Sequence, residues 1–61
     1  MKIATIIDEM KNGKELTYIA GRFGGYMLGD TPIRADYARK AIDKMHIRGE
    51  IENGRMTYRA N

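Results

Sequence analysis

The residues with the clearest chemical character in this chain are basic side chains spaced along one candidate helix and the hairpin that follows it. The candidate helix runs from Thr31 to His46, and the candidate hairpin runs from Gly49 to Arg59. Residues 1–31 carry equal numbers of basic and acidic side chains, so the whole net charge of +3 lies in residues 32–61. A basic surface confined to one part of a chain is typical of proteins that bind polyanions. A solvated surface of mixed charge is the alternative that charge alone leaves open.

The chemistry that these side chains suit best is contact with double-stranded DNA. A helix fits the major groove, where an arginine can donate two hydrogen bonds to guanine, and the hairpin tip would reach the adjacent backbone or minor groove. Arg55 and Arg59 would bind phosphates, which adds affinity rather than sequence preference. For Arg55, an ion pair with Glu52 is the structural alternative. The predicted DNA-binding residues are Arg34, Asp36, Tyr37, Arg39, Lys40, Lys44, Asn53, Arg55 and Arg59.

The composition offers little for catalysis or metal binding. The chain has no cysteine, no serine and a single histidine, His46, so the usual thiol and serine nucleophiles are absent. The adjacent Asp8 and Glu9 are expected to be solvated rather than to act as an acid–base pair. The glycines at positions 21, 24, 25 and 29 lack the Lys-Ser/Thr ending of a phosphate-binding loop. We therefore expect a protein that is not an enzyme, with no catalytic residue, metal or cofactor.

Length and hydropathy indicate one small domain outside the membrane. A chain of 61 residues is close to the lower size at which a domain folds alone. No apolar run approaches the roughly 18 residues of a membrane span. Acidic residues interrupt the first apolar stretch, so no signal peptide is expected. The absence of cysteine fits the reducing cytoplasm, and we expect a cytoplasmic protein whose single domain spans residues 1–61.

Two helices are predicted before the basic one. The first runs from Lys2 to Lys11, because its isoleucines and Met10 recur at helical spacing and Asn12-Gly13 can end it. Residues 14–16 could form a brief extended segment at the edge of the hairpin. The second helix would use Thr17 as its N-cap and continue to Phe23. It would bury Ile19, Ala20 and Phe23.

The segment from Gly24 to Asp30 is predicted to be a loop that leads into the basic helix. Its apolar residues Tyr26, Met27 and Leu28 would either tuck under the core or form an exposed patch for a partner. The basic helix would begin with Asp30 or Thr31 as its cap and Pro32 at its first position. Its buried stripe is predicted to contain Tyr37, Ala38, Ala41, Ile42 and Met45.

The hairpin is predicted from the Asn53-Gly54 dipeptide between two alternating runs. A two-residue turn places Glu52 opposite Arg55, Ile51 opposite Met56, Glu50 opposite Thr57 and Gly49 opposite Tyr58. Ile51, Met56 and Tyr58 then share one face, which we expect to lie on the helices because an isolated hairpin is marginally stable in water.

This order of elements resembles the small winged helix-turn-helix regulators, such as the pilus-operon regulators of the FaeA-like type and several phage and plasmid regulators. Thr17–Ala20 resembles the start of the positioning helix, and Ala20 with Gly24 repeats an Ala-x-x-x-Gly spacing found there. Asp36–Arg39 through Gly49–Ile51 resembles the recognition helix and its exit into the wing. The resemblance implies a mainly α fold, a winged helix-turn-helix of three helices plus a C-terminal hairpin. It also implies a sequence-specific DNA-binding transcriptional regulator. Because one copy with a single small basic face contacts few base pairs, we expect a homodimer or a cooperative array.

Two other functions remain open at this stage. One is an architectural DNA-binding factor similar to an excisionase. The other is a small protein-interaction module or inhibitor that uses Tyr26, Met27 and Leu28 as an exposed apolar anchor. The connection from Gly24 to Asp30 is longer than the three or four residues usual in a helix-turn-helix, which leaves the presentation of the basic helix open.

Overall fold

A five-stranded antiparallel sheet, with two helices packed on one of its faces, makes up the described chain. The computed structural model describes residues 1–60. The strands lie in the order β3-β2-β1-β5-β4. In chain order the elements are α1 (Ile3–Lys11), β1 (Leu16–Ile19), β2 (Gly25–Leu28), β3 (Thr31–Ile33), α2 (Ala35–Met45), β4 (Gly49–Glu52) and β5 (Arg55–Tyr58).

The predicted mainly α winged helix-turn-helix is therefore wrong. The predicted second helix is β1 followed by a turn, and the loop from Gly24 to Asp30 contains β2. The residues of β1 are β-branched, aromatic or leucine, types that pack well on a pleated surface. Both neighbours of β1 pair with it, β2 on one side and β5 on the other. Residues 14–16, which were expected to form an edge of the hairpin, thus lead into the central strand β1.

The first helix is confirmed, with Lys2 as its N-cap rather than its first residue. Ile6 and Met10 are buried, while Ile3 and Ile7 pack at the margin of the core. The helix ends at Lys11 with Asn12 as its C-cap, and the next residue, Gly13, has a φ of +107°. This backbone conformation favours glycine and turns the chain towards β1.

The glycines at positions 21, 24 and 25 lie in the turn between β1 and β2 and at its junction with β2, not between two helices. Gly24 packs so closely that a Cβ atom there would overlap the carbonyl oxygen of Ile19. Its N–H donates a hydrogen bond to the Gly21 carbonyl at 3.1 Å. In the same turn, Phe23 projects into solvent and is 97% exposed. Ile19 and Ala20 are also exposed, so the predicted burial of these three residues is wrong.

The start of the basic helix also differs from the prediction. Gly29-Asp30 forms a two-residue turn between β2 and β3, and Thr31–Ile33 forms β3. Pro32 therefore lies in an edge strand, where a residue without an N–H is tolerated. Helix α2 begins at Ala35 with Arg34 as its N-cap, so neither Asp30 nor Thr31 caps it.

Helix α2 connects the two edges of the sheet, from β3 to β4. It packs against α1 and β2, and its two buried alanines, Ala38 and Ala41, are 0% exposed. Tyr37, Ile42 and Met45 are half-buried around them, which confirms the predicted stripe. The buried core consists of Ile6, Met10, Leu16, Leu28, Ile33, Ala38 and Ala41.

The predicted hairpin and its register are confirmed. Glu52 lies opposite Arg55, and Gly49 lies opposite Tyr58. The turn residues Asn53 and Gly54 have φ of +52° and +78°, as a two-residue turn matched to the twist of the strands requires. The apolar face is only partly covered, however, because Ile51 is 76% exposed at the outer edge.

Candidate nucleic-acid interface

The solvent side of α2 carries the basic residues that the sequence singled out. The small side chains of Ala38 and Ala41 bring one side of the helix close to the core. The opposite side consequently exposes Arg39, Lys40 and Lys44. The structure thus leaves all three of these predicted DNA-binding residues exposed along α2.

At the beginning of α2, the basic side chain of Arg34 is held by its neighbours. The Arg34 guanidinium lies 3.1 Å from the Asp36 carboxylate and 5.0 Å from the centre of the Tyr37 ring. Arg34 and Asp36 are both exposed, whereas Tyr37 is half-buried. Arg34 therefore contacts both of the other predicted site residues, and its charge is partly neutralised by Asp36.

The three basic residues further along α2 differ from Arg34 in that they form no ion pair in the part of the chain that the structure describes. Within residues 1–60, none of Arg39, Lys40 and Lys44 takes part in an ion pair. Their charges are therefore available to an external anion.

The arginines of the hairpin lie on the other side of the domain. Arg55 at the start of β5 and Arg59 just after its end alternate with Met56 and Tyr58, so they point away from the sheet face that carries the helices. Asn53 lies at the tip of the hairpin. The structure therefore does not bring the hairpin arginines together with the α2 residues on one face.

Arg59 is already bound within the chain. Its Nε donates to Glu15 at 2.6 Å, and its two terminal nitrogens donate to the two Glu52 carboxylate oxygens at 2.6 and 2.9 Å. The hydrogen bond from Arg59 lowers the pKa of the Glu52 carboxyl. The predicted alternative in which Glu52 pairs with Arg55 is wrong, since Glu52 reaches across to Arg59 instead. Sequence inspection missed this because Glu15 is 44 residues from its partner.

A cluster of three tyrosines on the helix-covered face was not predicted as a site. Tyr18 and Tyr26 lie opposite each other on β1 and β2, with ring centres 4.7 Å apart. Tyr58 lies on β5 on the same face, two residues from Met56, which is the residue opposite Tyr18. Burial raises the pKa of the Tyr58 hydroxyl, and the nearby Tyr26 and Tyr18 raise it further. We call Tyr18, Tyr26 and Tyr58 the tyrosine cluster.

A cleft opens between this cluster and α2. It has a volume of about 340 Å³. Tyr26 and Tyr58 line it from the sheet, and Arg39 lines it from the helix. The remaining lining residues are Ile42, Asp43, His46 and Ile47. Each tyrosine of the cluster lies in a short run of four residues that forms a strand, whereas the sequence pattern predicts a helix around Tyr18 and a loop around Tyr26.

The apolar anchor suggested for a protein-interaction module is not a single exposed patch. Leu28 is 1% exposed and belongs to the core. Tyr26 and Met27 are half-buried and, as neighbours in a strand, point to opposite faces of the sheet. This arrangement argues against the predicted anchor.

Comparison with protein-family models, curated proteins and solved structures gives no match for this chain. Neither α1 nor α2 is long and apolar enough to cross a membrane. No group of three potential metal-ligating side chains occurs in the part of the chain that the structure describes. The functional argument therefore depends on the geometry of the α2 surface and the cleft beside it.

Proposed function

We propose that the protein binds double-stranded DNA through the exposed side of α2, and that it does so in the cytoplasm as a regulator of transcription. The observation that carries the proposal is the set of exposed cations Arg39, Lys40 and Lys44, none of which is neutralised by a carboxylate within residues 1–60. Such side chains contact phosphates, and an arginine among them can also reach guanine.

The dimensions of α2 support this surface. An α-helix with its side chains is about 10–12 Å across, which matches the width of the major groove at about 12 Å, and the 11 residues of α2 give it a length of about 16 Å along the groove. Asp36 and Asp43, which are exposed on the same helix, repel phosphate and so favour selected sites over indiscriminate binding. A helix of this length contacts few base pairs, so the proposal includes pairs or arrays of copies on the DNA.

The hairpin has a different role in this proposal from the one expected of a wing. Arg55 and Asn53 are exposed, but the strand register directs Arg55 away from the α2 side of the sheet. Arg59 is committed to Glu15 and Glu52 and stabilises the hairpin. The DNA contact that we propose therefore includes α2 and leaves the hairpin arginines outside it.

The first experiment compares two variants that lose the same charge. Arg39→Ala/Lys40→Ala removes two cations from α2, and Arg22→Ala/Lys2→Ala removes two exposed cations from other parts of the chain. We expect the α2 variant to weaken binding to a short labelled duplex by about tenfold at low salt. The slope of log affinity against log salt should decrease by about 2, since each phosphate contact releases counterions. Fluorescence anisotropy over a salt series measures both quantities.

The control variant should retain nearly the affinity of the unmodified protein, and circular dichroism should show that both variants are folded. Equal loss of affinity in the two variants would mean that only net charge matters. Absence of binding by the unmodified protein at low salt would refute the proposed function itself.

A further inference from the structure

We propose that the cleft between α2 and the tyrosine cluster receives one unpaired nucleobase of the bound DNA. This inference rests on the proposed function, because the DNA backbone must first lie along α2. The observation behind it is that Arg39 belongs both to the exposed cationic surface and to the lining of the cleft. A phosphate held by Arg39 therefore lies next to an aromatic wall.

The size and walls of the cleft suit a small flat ring. Its volume of about 340 Å³ is at the lower end of the range of roughly 300–1,000 Å³ for ligand pockets. Tyr26 and Tyr58 supply aromatic surface on one side, while Ile42 and Ile47 supply aliphatic surface. Stacking on tyrosine is a common way for proteins to hold unpaired bases, because every base has two flat faces.

The polar groups of the cleft indicate how the base and its phosphate would be held. The Arg39 guanidinium can bind the phosphate, and the His46 imidazole adds a second polar group to the lining of the cleft. The Asp43 carboxylate is an acceptor and can receive a hydrogen bond from the amino group of cytosine. We therefore choose deoxycytidine as the probe.

An unpaired base is required because of where the rings lie. Tyr26 and Tyr58 are half-buried and line the cleft from the sheet, so a base that stacks on them lies in the cleft. A base inside a duplex is stacked on both sides and cannot enter without leaving the stack. The preferred DNA is consequently a duplex with an unpaired nucleotide at its end or within it.

The neighbouring surface can accommodate the chain beyond that nucleotide. Tyr18, Met56 and Ile51 form a row across β1, β5 and β4 on the same face of the sheet. Tyr18 is 37% exposed and Ile51 is 76% exposed, so the helices leave this end of the row open. This row begins at Tyr18 of the tyrosine cluster and extends the aromatic and apolar surface towards β4.

The experiment compares a blunt duplex with the same duplex carrying a short deoxycytidine overhang. We expect the overhang to raise the affinity of the unmodified protein by about tenfold. Tyr58→Leu should abolish that gain while leaving the affinity for the blunt duplex unchanged. Tyr58→Phe is the matched control, and it should keep the gain because it retains the ring. Tyr26→Leu is a second variant should Tyr58→Leu fail to fold.

A measurement independent of affinity locates the base. In methyl NMR spectra, the signals of Ile42 and Ile47 should shift with the overhang duplex and not with the blunt one. If the blunt duplex binds, but the overhang adds no affinity and the methyl signals respond equally to both, the inference is wrong while the proposed function stands. If neither DNA binds at low salt, the proposed function fails and the inference fails with it.

Discussion

The two faces of the sheet are held by different kinds of interaction. On the helix side, Leu16 and Leu28 are buried at 0% and 1% exposure beneath α1 and α2. On the outer side, Arg59 joins Glu15, just before β1, to Glu52 in β4, while Thr57 lies on the same face and is 4% exposed. The helix side stabilises the fold through apolar burial, and the outer side links three segments through charged groups. A basic side chain of this protein is therefore available to a partner only where it forms no ion pair within the domain.

The largest loss of stability is expected from a substitution on the face of the sheet that the helices cover. Leu16→Ala should lower the free energy of unfolding by about 2–5 kcal/mol, since it leaves a cavity in the centre of the core. Ile19→Ala is the comparison in the same strand, because Ile19 points to the outer face and is 37% exposed. It should cost only about 1 kcal/mol. Urea denaturation measures both values, and equal losses would contradict the distinction between the faces.

An intermediate effect is expected where β4 and β5 meet on the helix side. A Cβ added at Gly49 would lie 2.5 Å from Cγ and Sδ of Met56 and 2.8 Å from Cε2 of Tyr58. Gly49→Ala should therefore destabilise the protein by about 1–3 kcal/mol through overpacking. Met56→Ala in the same chain should relieve part of this cost. Strictly additive losses in thermal or urea denaturation of the single and double variants would show that the contact does not matter.

The smallest loss of stability is expected from a substitution on the outer face of the sheet, and this loss should depend on pH. Because Arg59 lowers the pKa of Glu52 below its ordinary value of 4.5, ionised Glu52 stabilises the folded state at neutral pH. That contribution is lost as the pH falls through the lowered folded-state pKa. Arg59→Met should thus lower Tm slightly at neutral pH, and the difference from the unmodified protein should shrink in acid.

Arg55→Met provides the control for this pH dependence. Arg55 shares the outer face of β5 with Arg59 but takes part in no ion pair within residues 1–60. Its Tm difference from the unmodified protein should show no such decrease in acid. The same pH profile for both variants would assign the effect to net charge rather than to the Glu52 pair.

The sequence was sufficient for the elements whose signals are local. The first helix follows from its isoleucine spacing, and the β4–β5 register follows from Asn53-Gly54. Gly29-Asp30 is also a two-residue hairpin signal, but Pro32 just after it equally suits the first position of a helix, and only the pairing of β3 with β2 distinguishes the two. The strand β1 could not be identified in this way, because its stability depends on pairing with residues 25–28 and 56–58.

The candidate site was predictable to a similar extent. The exposure of Arg39, Lys40 and Lys44 followed from the helical periodicity of the apolar residues, and the structure places all three on the solvent side of α2. The tyrosine cluster and the cleft beside it were not predictable, because strand pairing brings Tyr18, Tyr26 and Tyr58 together from three separate segments. The commitment of Arg59 to Glu15 has the same non-local origin.

The position of Pro32 has a consequence for self-association. The outer edge of a sheet offers unpaired N–H and C=O groups to which another chain can add a strand. Pro32 stands in the middle of the three-residue edge strand β3 and has no N–H to offer. At the opposite edge, β4 carries the carboxylates Glu50 and Glu52. Both edges thus carry features that oppose the growth of the sheet into a fibril, and substitution of Pro32 by a β-branched residue would remove one of them.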